Sequence, residues 1–193
     1  MQWNQCTMDL LVSYDCGRYG RAKREILDVL RRLGDEHAQV ERSSVEGIAL
    51  AHTSLETRDV ARSCRSLADQ GYAFRFAIKW VPVDYWCETD LEAIRKVLAA
   101  RVRDQIAAGE TWAMQVAKRR WESQHAHDII VHLAPAIDRK VALAHPDKLV
   151  HVDVLGCKTA ISVLRPDEFF SIRRYHPAAI RTAAPLVSPP APG

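Results

Sequence analysis

Three consecutive cations, Lys118, Arg119 and Arg120, close an alternating run and are followed at once by an indole, Trp121. Within Thr111–Ala117, Trp112, Met114 and Val116 share one face of a period-2 strand, and Ala113, Gln115 and Ala117 take the other. A burst of charge at a strand end is costly to bury, so the pattern predicts that it sits at the rim of a sheet. Ser123 is a suitable N-cap for a helix beginning near Gln124, whose first turn would aim backbone N–H groups at the same rim. Cationic side chains neutralise phosphates, an indole stacks a base, and a helix N-terminus favours an anion. The candidate RNA-binding residues are Lys118, Arg119, Arg120, Trp121, Gln124 and His125. The competing interpretation is a solvated strand-to-helix loop with Trp121 folded back over the core.

Other chemistries have weaker patterns. His125 and His127 are two residues apart, which places them on different faces of a helix, and no cysteine or carboxylate pair completes a ligand set, so no metal is expected. Arg18, Arg21, Lys23, Arg24, Arg31 and Arg32 make a basic helix in which Glu25 and Asp28 stand at pairing distance, the signature of a salt-bridged solvated face. Cys157 lies in Gly156-Cys157-Lys158, where a lysine could activate a thiol, although packing explains it better. Trp3, Trp80, Trp86 and Trp112 are expected in cores or at a domain interface. The chain contains no glycine-rich nucleotide loop, serine-hydrolase elbow or zinc-protease motif, and no cofactor is expected.

These groups must be positioned by elements that alternate between strand and helix. The first half predicts strand–helix–strand–strand–helix–strand: Asp9–Tyr14, Arg21–Leu33, a hairpin of Ala38–Arg42 and Ile48–His52, a helix opened by a capping box at Thr53–Glu56 and closed by Gly71, then Tyr72–Val83. This is the split ferredoxin-like order. The second half begins at a capping box, Thr89–Glu92, with a helix ending at Gly109. The 111–117 strand, a helix from Gln124 to Ile137 disturbed by Pro135, and a hairpin of Lys148–Leu155 with Thr159–Leu164 around Gly156-Cys157 complete it.

At 193 residues the chain can hold one large or two small domains. A hydrophobic content of 48% and a charged content of 26% are those of a globular protein. The net charge of +3 is too small to imply nucleic acid by itself, so the argument rests on where the cations lie. Five cysteines with no C-x-x-C pair argue against a disulfide framework and for reduced thiols in the cytoplasm. The N-terminal run does not read as a signal peptide, and no apolar stretch is long enough to span a bilayer.

The run AMQVAKRRW, then SQHAHDIIVHLAPAI, then HPDKLVHVDVLGCKTAISVLR resembles a THUMP domain, over roughly residues 74–171. The ending CKTAISVLRPDEFFSIRRY is similar to the stand-alone branch whose eukaryotic members assist tRNA N4-acetylcytidine formation. The resemblance implies an α/β (α+β) fold: a ferredoxin-like domain at 7–75, a THUMP domain at 76–172 and a flexible tail at 173–193. It implies a non-catalytic tRNA-binding protein that grips the acceptor end and assists a separate modifying enzyme, an acetyltransferase in that branch. Two alternatives stay open: an enzyme subunit acting through Cys157, and a protein-interaction scaffold that binds no RNA.

Overall fold

In the computed structural model, which describes residues 8–121 and 125–175, the first strand carries apolar residues on both faces. Leu10 and Val12 of β1 (Met8–Ser13) enter one core and Leu11 enters another. A strand apolar on both faces has to be covered on both. Helices cover one side here, and a second sheet covers the other.

The helical cover comes from α1 (Tyr19–Arg32) and α2 (Thr57–Asp69). Ala22, Ile26, Val29 and Leu30 repeat at helical spacing along α1 and, with Val60 and Cys64 of α2, close over Leu10, Val12 and Trp80. The strands β2 (Gln39–Arg42), β3 (Ile48–Thr53) and β4 (Lys79–Pro82) join β1 in the antiparallel order β4-β1-β3-β2, the split βαββαβ arrangement.

The second sheet contains β5 (Tyr85–Glu88), β6 (Thr111–Arg119), β7 (Lys140–Val141), β8 (Lys148–Leu155) and β9 (Lys158–Leu164), in the order β5-β9-β8-β6-β7. β6 runs parallel to both its neighbours, while β9 pairs antiparallel with β8 and β5. Two helices, α3 (Leu91–Val97) and α4 (Ala126–Leu133), cover its outer face. Ile94, Leu98, Ile129 and Leu133 meet Trp112, Val150, Val152 and Val154 there. Leu11, Ile48 and Val81 of the first sheet then pack on Ala113, Leu149, Ala160 and Leu164 of the second, which makes four layers: helices, sheet, sheet, helices.

The mixed α/β class and the order of the main elements follow the sequence pattern; several boundaries do not. A late strand, β10 (Phe170–Ser171), pairs with β4, so the first sheet runs past residue 75 and takes in a strand from the far end of the described chain. The boundary read at 7–75 and 76–172 is therefore crossed twice. Tyr72–Val83 shortens to β4 because the Glu25 carboxylate accepts the backbone N–H groups of Arg75, Phe76 and Ala77 at 2.8, 2.8 and 2.6 Å and holds that stretch out of the ladder. Glu56, not Thr53, caps α2, accepting from the Arg58 N–H at 3.3 Å; the Thr53 hydroxyl instead donates to Asp35 at 2.5 Å. The helix expected up to Gly109 loosens after Val97 into a π turn over Leu98–Val102, and α4 stops at Leu133, with Pro135 in a following 3-10 turn. Ser123, Gln124 and most of the 173–193 tail lie outside the described residues.

Candidate nucleic-acid interface

The alternation that orders β6 continues through its cations and separates them. Lys118 shares the parity of Trp112, Met114 and Val116 and faces the helical side, where its ammonium donates to the Trp121 carbonyl at 3.2 Å. Arg119 shares the parity of Ala113 and turns between the sheets, with Nη1 3.9 Å from Oδ1 of Asp153. Arg120 has a left-handed backbone, φ 56°, and its guanidinium donates to the Ser44 carbonyl of the β2–β3 loop at 3.0 Å. The three charges therefore leave the strand in three directions.

This corrects the idea that the whole burst sits at a rim. The Arg119 side chain is only 33% exposed, and Asp153 faces it. Burial raises the Asp153 pKa above its ordinary value, against the pull of Lys79 and Arg119. At 3.9 Å the pair makes no hydrogen bond, so the two cations offset only part of the cost of burying the carboxyl. Asp153 belongs to a polar layer between the sheets that also holds His151, edge-on to Phe169 at 5.0 Å, and Ser162, whose hydroxyl donates to the Pro82 carbonyl.

The remaining candidates stay near the end of β6. Trp121 is half-buried against the helical-side core, and His125 is exposed at the N-cap of α4, making no side-chain cap bond. Gln124, also a candidate, is not among the described residues. Of these candidates Arg120 and His125 are exposed, while Lys118 is half-buried and Trp121 is folded back over the helical-side core, as the competing interpretation expected. The basic helix α1 is largely self-engaged: Arg32 pairs with Asp28 at 2.9 Å and lies over Tyr72, while Arg21 lies over Phe76. Glu25, expected to pair on that helix, is spent on backbone amides instead.

A second site was not visible in the sequence. Between the two sheets there is a cleft of about 400 Å³ whose walls include Glu41, Arg42, Leu50, His52, Trp86 and Leu155. His52 stands directly opposite Asp9 in the β1–β3 register, and its Nδ1 is 2.6 Å from the Asp9 carboxylate. The other Asp9 oxygen accepts the Trp86 indole N–H at 2.9 Å, and Nε2 of His52 is 3.4 Å from Glu41. The bond to Asp9 raises the His52 pKa against the opposing effect of burial, and Glu41 adds to the rise. For Asp9, burial pushes upward, but the bonds from His52 and Trp86 outweigh it and leave the carboxyl below its ordinary value. Trp86, expected in a core or interface, is 37% exposed on this wall. Only the strand register brings Asp9, His52 and Trp86 together, and no local pattern records it.

The cysteines are dispersed. Cys64 is buried with its thiol pushed up, and burial, aided by Glu88, pushes Cys87 up to about 11. Cys16 and Cys157 are exposed, and the Lys158 ammonium beside Cys157 bonds Glu88. Among the described residues no helix is long and apolar enough to cross a membrane.

Comparison with known proteins bears on this arrangement. No protein-family model matches the chain. The uncharacterized protein MJ0421 of Methanocaldococcus jannaschii is 35% identical over 86 residues, which are 42% of this chain and 24% of that protein. The crystal structure of PH1313 from Pyrococcus horikoshii superposes with a TM-score of 0.58 at 12% identity, over 82% of this chain and 54% of that one. A 4-thiouridine synthetase in complex with RNA and ATP superposes with a TM-score of 0.52 at 17% identity, over 86% and 42%. The fold is THUMP-like. The chain spans about a quarter of the curated relative and about half or less of these solved chains.

The same comparison corrects the expectation of a chain that is not an enzyme. TrmN from Thermus thermophilus shares the fold over 90% of this chain with a TM-score of 0.56 at 18% identity, and SMU.472, a candidate methyltransferase complexed with SAH, shares it over 83% with a TM-score of 0.55 at 15% identity. The fold thus occurs within methyltransferases, and the lack of a catalytic motif in these residues does not make the protein a non-enzyme.

Proposed function

We propose that this chain is an RNA-binding unit of a tRNA-modification system, acting in the cytoplasm and gripping the acceptor end of tRNA. The observation that supports it most is a THUMP-like fold in which Lys118, Arg120, Trp121 and His125 follow one another in sequence from the end of β6 to the start of α4. Lys118 and Arg120 meet phosphates, and Trp121 offers its indole to an unpaired base. Arg119 is a positioning residue that fixes the strand end through Asp153. The sequence adds Gln124 to the proposed contacts. Holding the acceptor end fixes how far away a modifying centre must be, so phosphate contacts set the register and distance selects the nucleotide. A separate acetyltransferase is the partner suggested by the resemblance of the Cys157–Tyr175 segment.

A gel shift tests the reading, with intact tRNA and tRNA lacking its 3′ single-stranded nucleotides, at about 50 and 200 mM salt. Binding should fall on truncation. With two phosphate contacts on a single strand, it should weaken by roughly sevenfold between the two salts. Equal weak binding to both RNAs would sink the acceptor-end reading and favour a protein partner for the basic groups.

A further inference from the structure

The cleft between the sheets is built from residues that the proposed RNA surface does not use. Parity assigns its inner residues to the facing sides: Asp9 with Leu11, His52 with Ile48 and Leu50, and Trp86, which pairs with Ala160, whereas Arg42 shares the parity of Val40 on the helical side. The cleft is graded in polarity. Its inner members, Asp9 and His52, keep side-chain exposures of 17% and 13%, whereas Glu41, Arg42 and Lys158 are 56%, 60% and 55% exposed. Leu50 and Leu155 supply the apolar part of the lining, and Trp86 supplies an aromatic one.

Trp86 is held in a fixed position: the bond from its N–H to Asp9 sets the ring, and Asp9 is itself tied to His52. An aromatic plane fixed in advance beside leucines is a stacking platform that loses little entropy on binding. The two exposed cations are committed to different degrees. Lys158 is paired with Glu88 at a surface where ion pairs contribute little, so it can turn to a phosphate, whereas Arg42 reaches Glu46 at 3.4 Å and its guanidinium lies over the Tyr19 ring at 4.2 Å. Glu41 brings a carboxylate, an acceptor with no proton to give, which suits an exocyclic amino group and disfavours a carbonyl. A volume of about 400 Å³ is in the range of small-ligand sites.

We propose that this cleft binds one unstacked nucleotide whose base carries an exocyclic amino group, adenine, cytosine or guanine, with the base on Trp86, its amino edge toward Glu41 and its phosphate toward Lys158. The nucleotide is either a terminal residue of RNA or a free mononucleotide. The first case deepens the RNA-binding reading, and the second stands apart from it.

The full chain is titrated with AMP, CMP, GMP and UMP, then with short single-stranded RNAs ending in A, C, G or U. Intrinsic fluorescence is read as the difference between the wild type and Trp86→Phe, which removes this indole alone as the reporter. Saturable quenching assigned to Trp86 is expected, with A, C and G preferred to U. Trp86→Ala should bind about tenfold or more weakly, the loss of one stacking contact. Glu41→Gln, a surface change that spares the fold, should narrow the preference for A, C and G over U. Quenching by the mononucleotides at micromolar concentration identifies a free ligand, and quenching by the RNAs alone identifies an RNA end. The proposal is overturned if neither probe quenches Trp86 saturably, or if Glu41→Gln leaves the base preference as it was. If Lys118→Glu abolishes tRNA binding while Trp86→Ala and Glu41→Gln change neither tRNA nor nucleotide binding, the cleft proposal fails and the RNA reading stands. Nucleotide binding at Trp86 with no tRNA binding would sustain the cleft proposal and sink the RNA reading.

Discussion

Among the residues at the end of β6, Lys118, Arg119 and Arg120 look alike in sequence but should respond differently to substitution. Arg119 faces the buried Asp153, so Arg119→Leu removes one of the two cations near that carboxyl. Lys79 remains and the side chain is a third exposed, so the loss should be about 1–2 kcal/mol, below the range for a fully buried pair. Lys118→Ala and Arg120→Ala should stay within about 0.5 kcal/mol of wild type in a urea melt. Their effect should appear in the tRNA gel shift and its salt slope. Equal destabilisation by all three would contradict the divided roles. The division was partly legible: extending the alternation of Thr111–Ala117 by two residues assigns Lys118 and Arg119 to opposite faces. The identity of the facing groups was not, because Asp153 and Ser44 meet these residues only through tertiary packing.

At the scale of the element, the loop before β4 depends on a single carboxylate. Glu25 accepts three consecutive backbone N–H groups, at Arg75, Phe76 and Ala77, so one side chain of α1 fixes the approach to the central sheet. Glu25→Ala should therefore destabilise the fold by about 1–3 kcal/mol, since amides lose a charged acceptor. Hydrogen exchange at residues 75–77 should accelerate before exchange in α1 does. Unchanged protection there would refute the anchoring role. Periodicity located most strands and helices because apolar faces repeat at fixed intervals. It misplaced Tyr72–Val83 because alternation there satisfies packing against Tyr72 and Phe74 while the backbone bonds go to a distant side chain. It also missed β5 and β10, whose short runs carry no period of their own.

In the whole molecule the two sheets are joined by an apolar layer and by polar fasteners at its margins. Arg58 of α2 donates to Asp84 at 2.6 Å, and Asp84 accepts the Val163 N–H at 2.7 Å, tying the first helical layer to β9. At the cleft, Glu41, His52, Asp9 and Trp86 form a chain of contacts across the same interface. This second fastener should depend on pH, and the signs can be derived. The folded pKa of His52 lies above its ordinary 6.5, so its contribution is complete below that value and disappears as pH rises through the raised one. The folded pKa of Asp9 lies below its ordinary 3.8, so its contribution is present above that value and disappears as pH falls through the lowered one. The fastener is therefore strongest between the two ordinary values and weakens on the alkaline side first under ordinary conditions. Urea midpoints of the wild type and His52→Gln, compared at about pH 5.5 and pH 9, isolate the effect because other titrations cancel in the difference. The gap should be widest at the lower pH and should shrink at the higher. At the higher pH the neutral imidazole still bonds Asp9, so Trp86 should keep its position. A gap that does not change with pH would mean that His52 joins the sheets as a neutral spacer, without the charge that Asp9 and Glu41 are placed to hold.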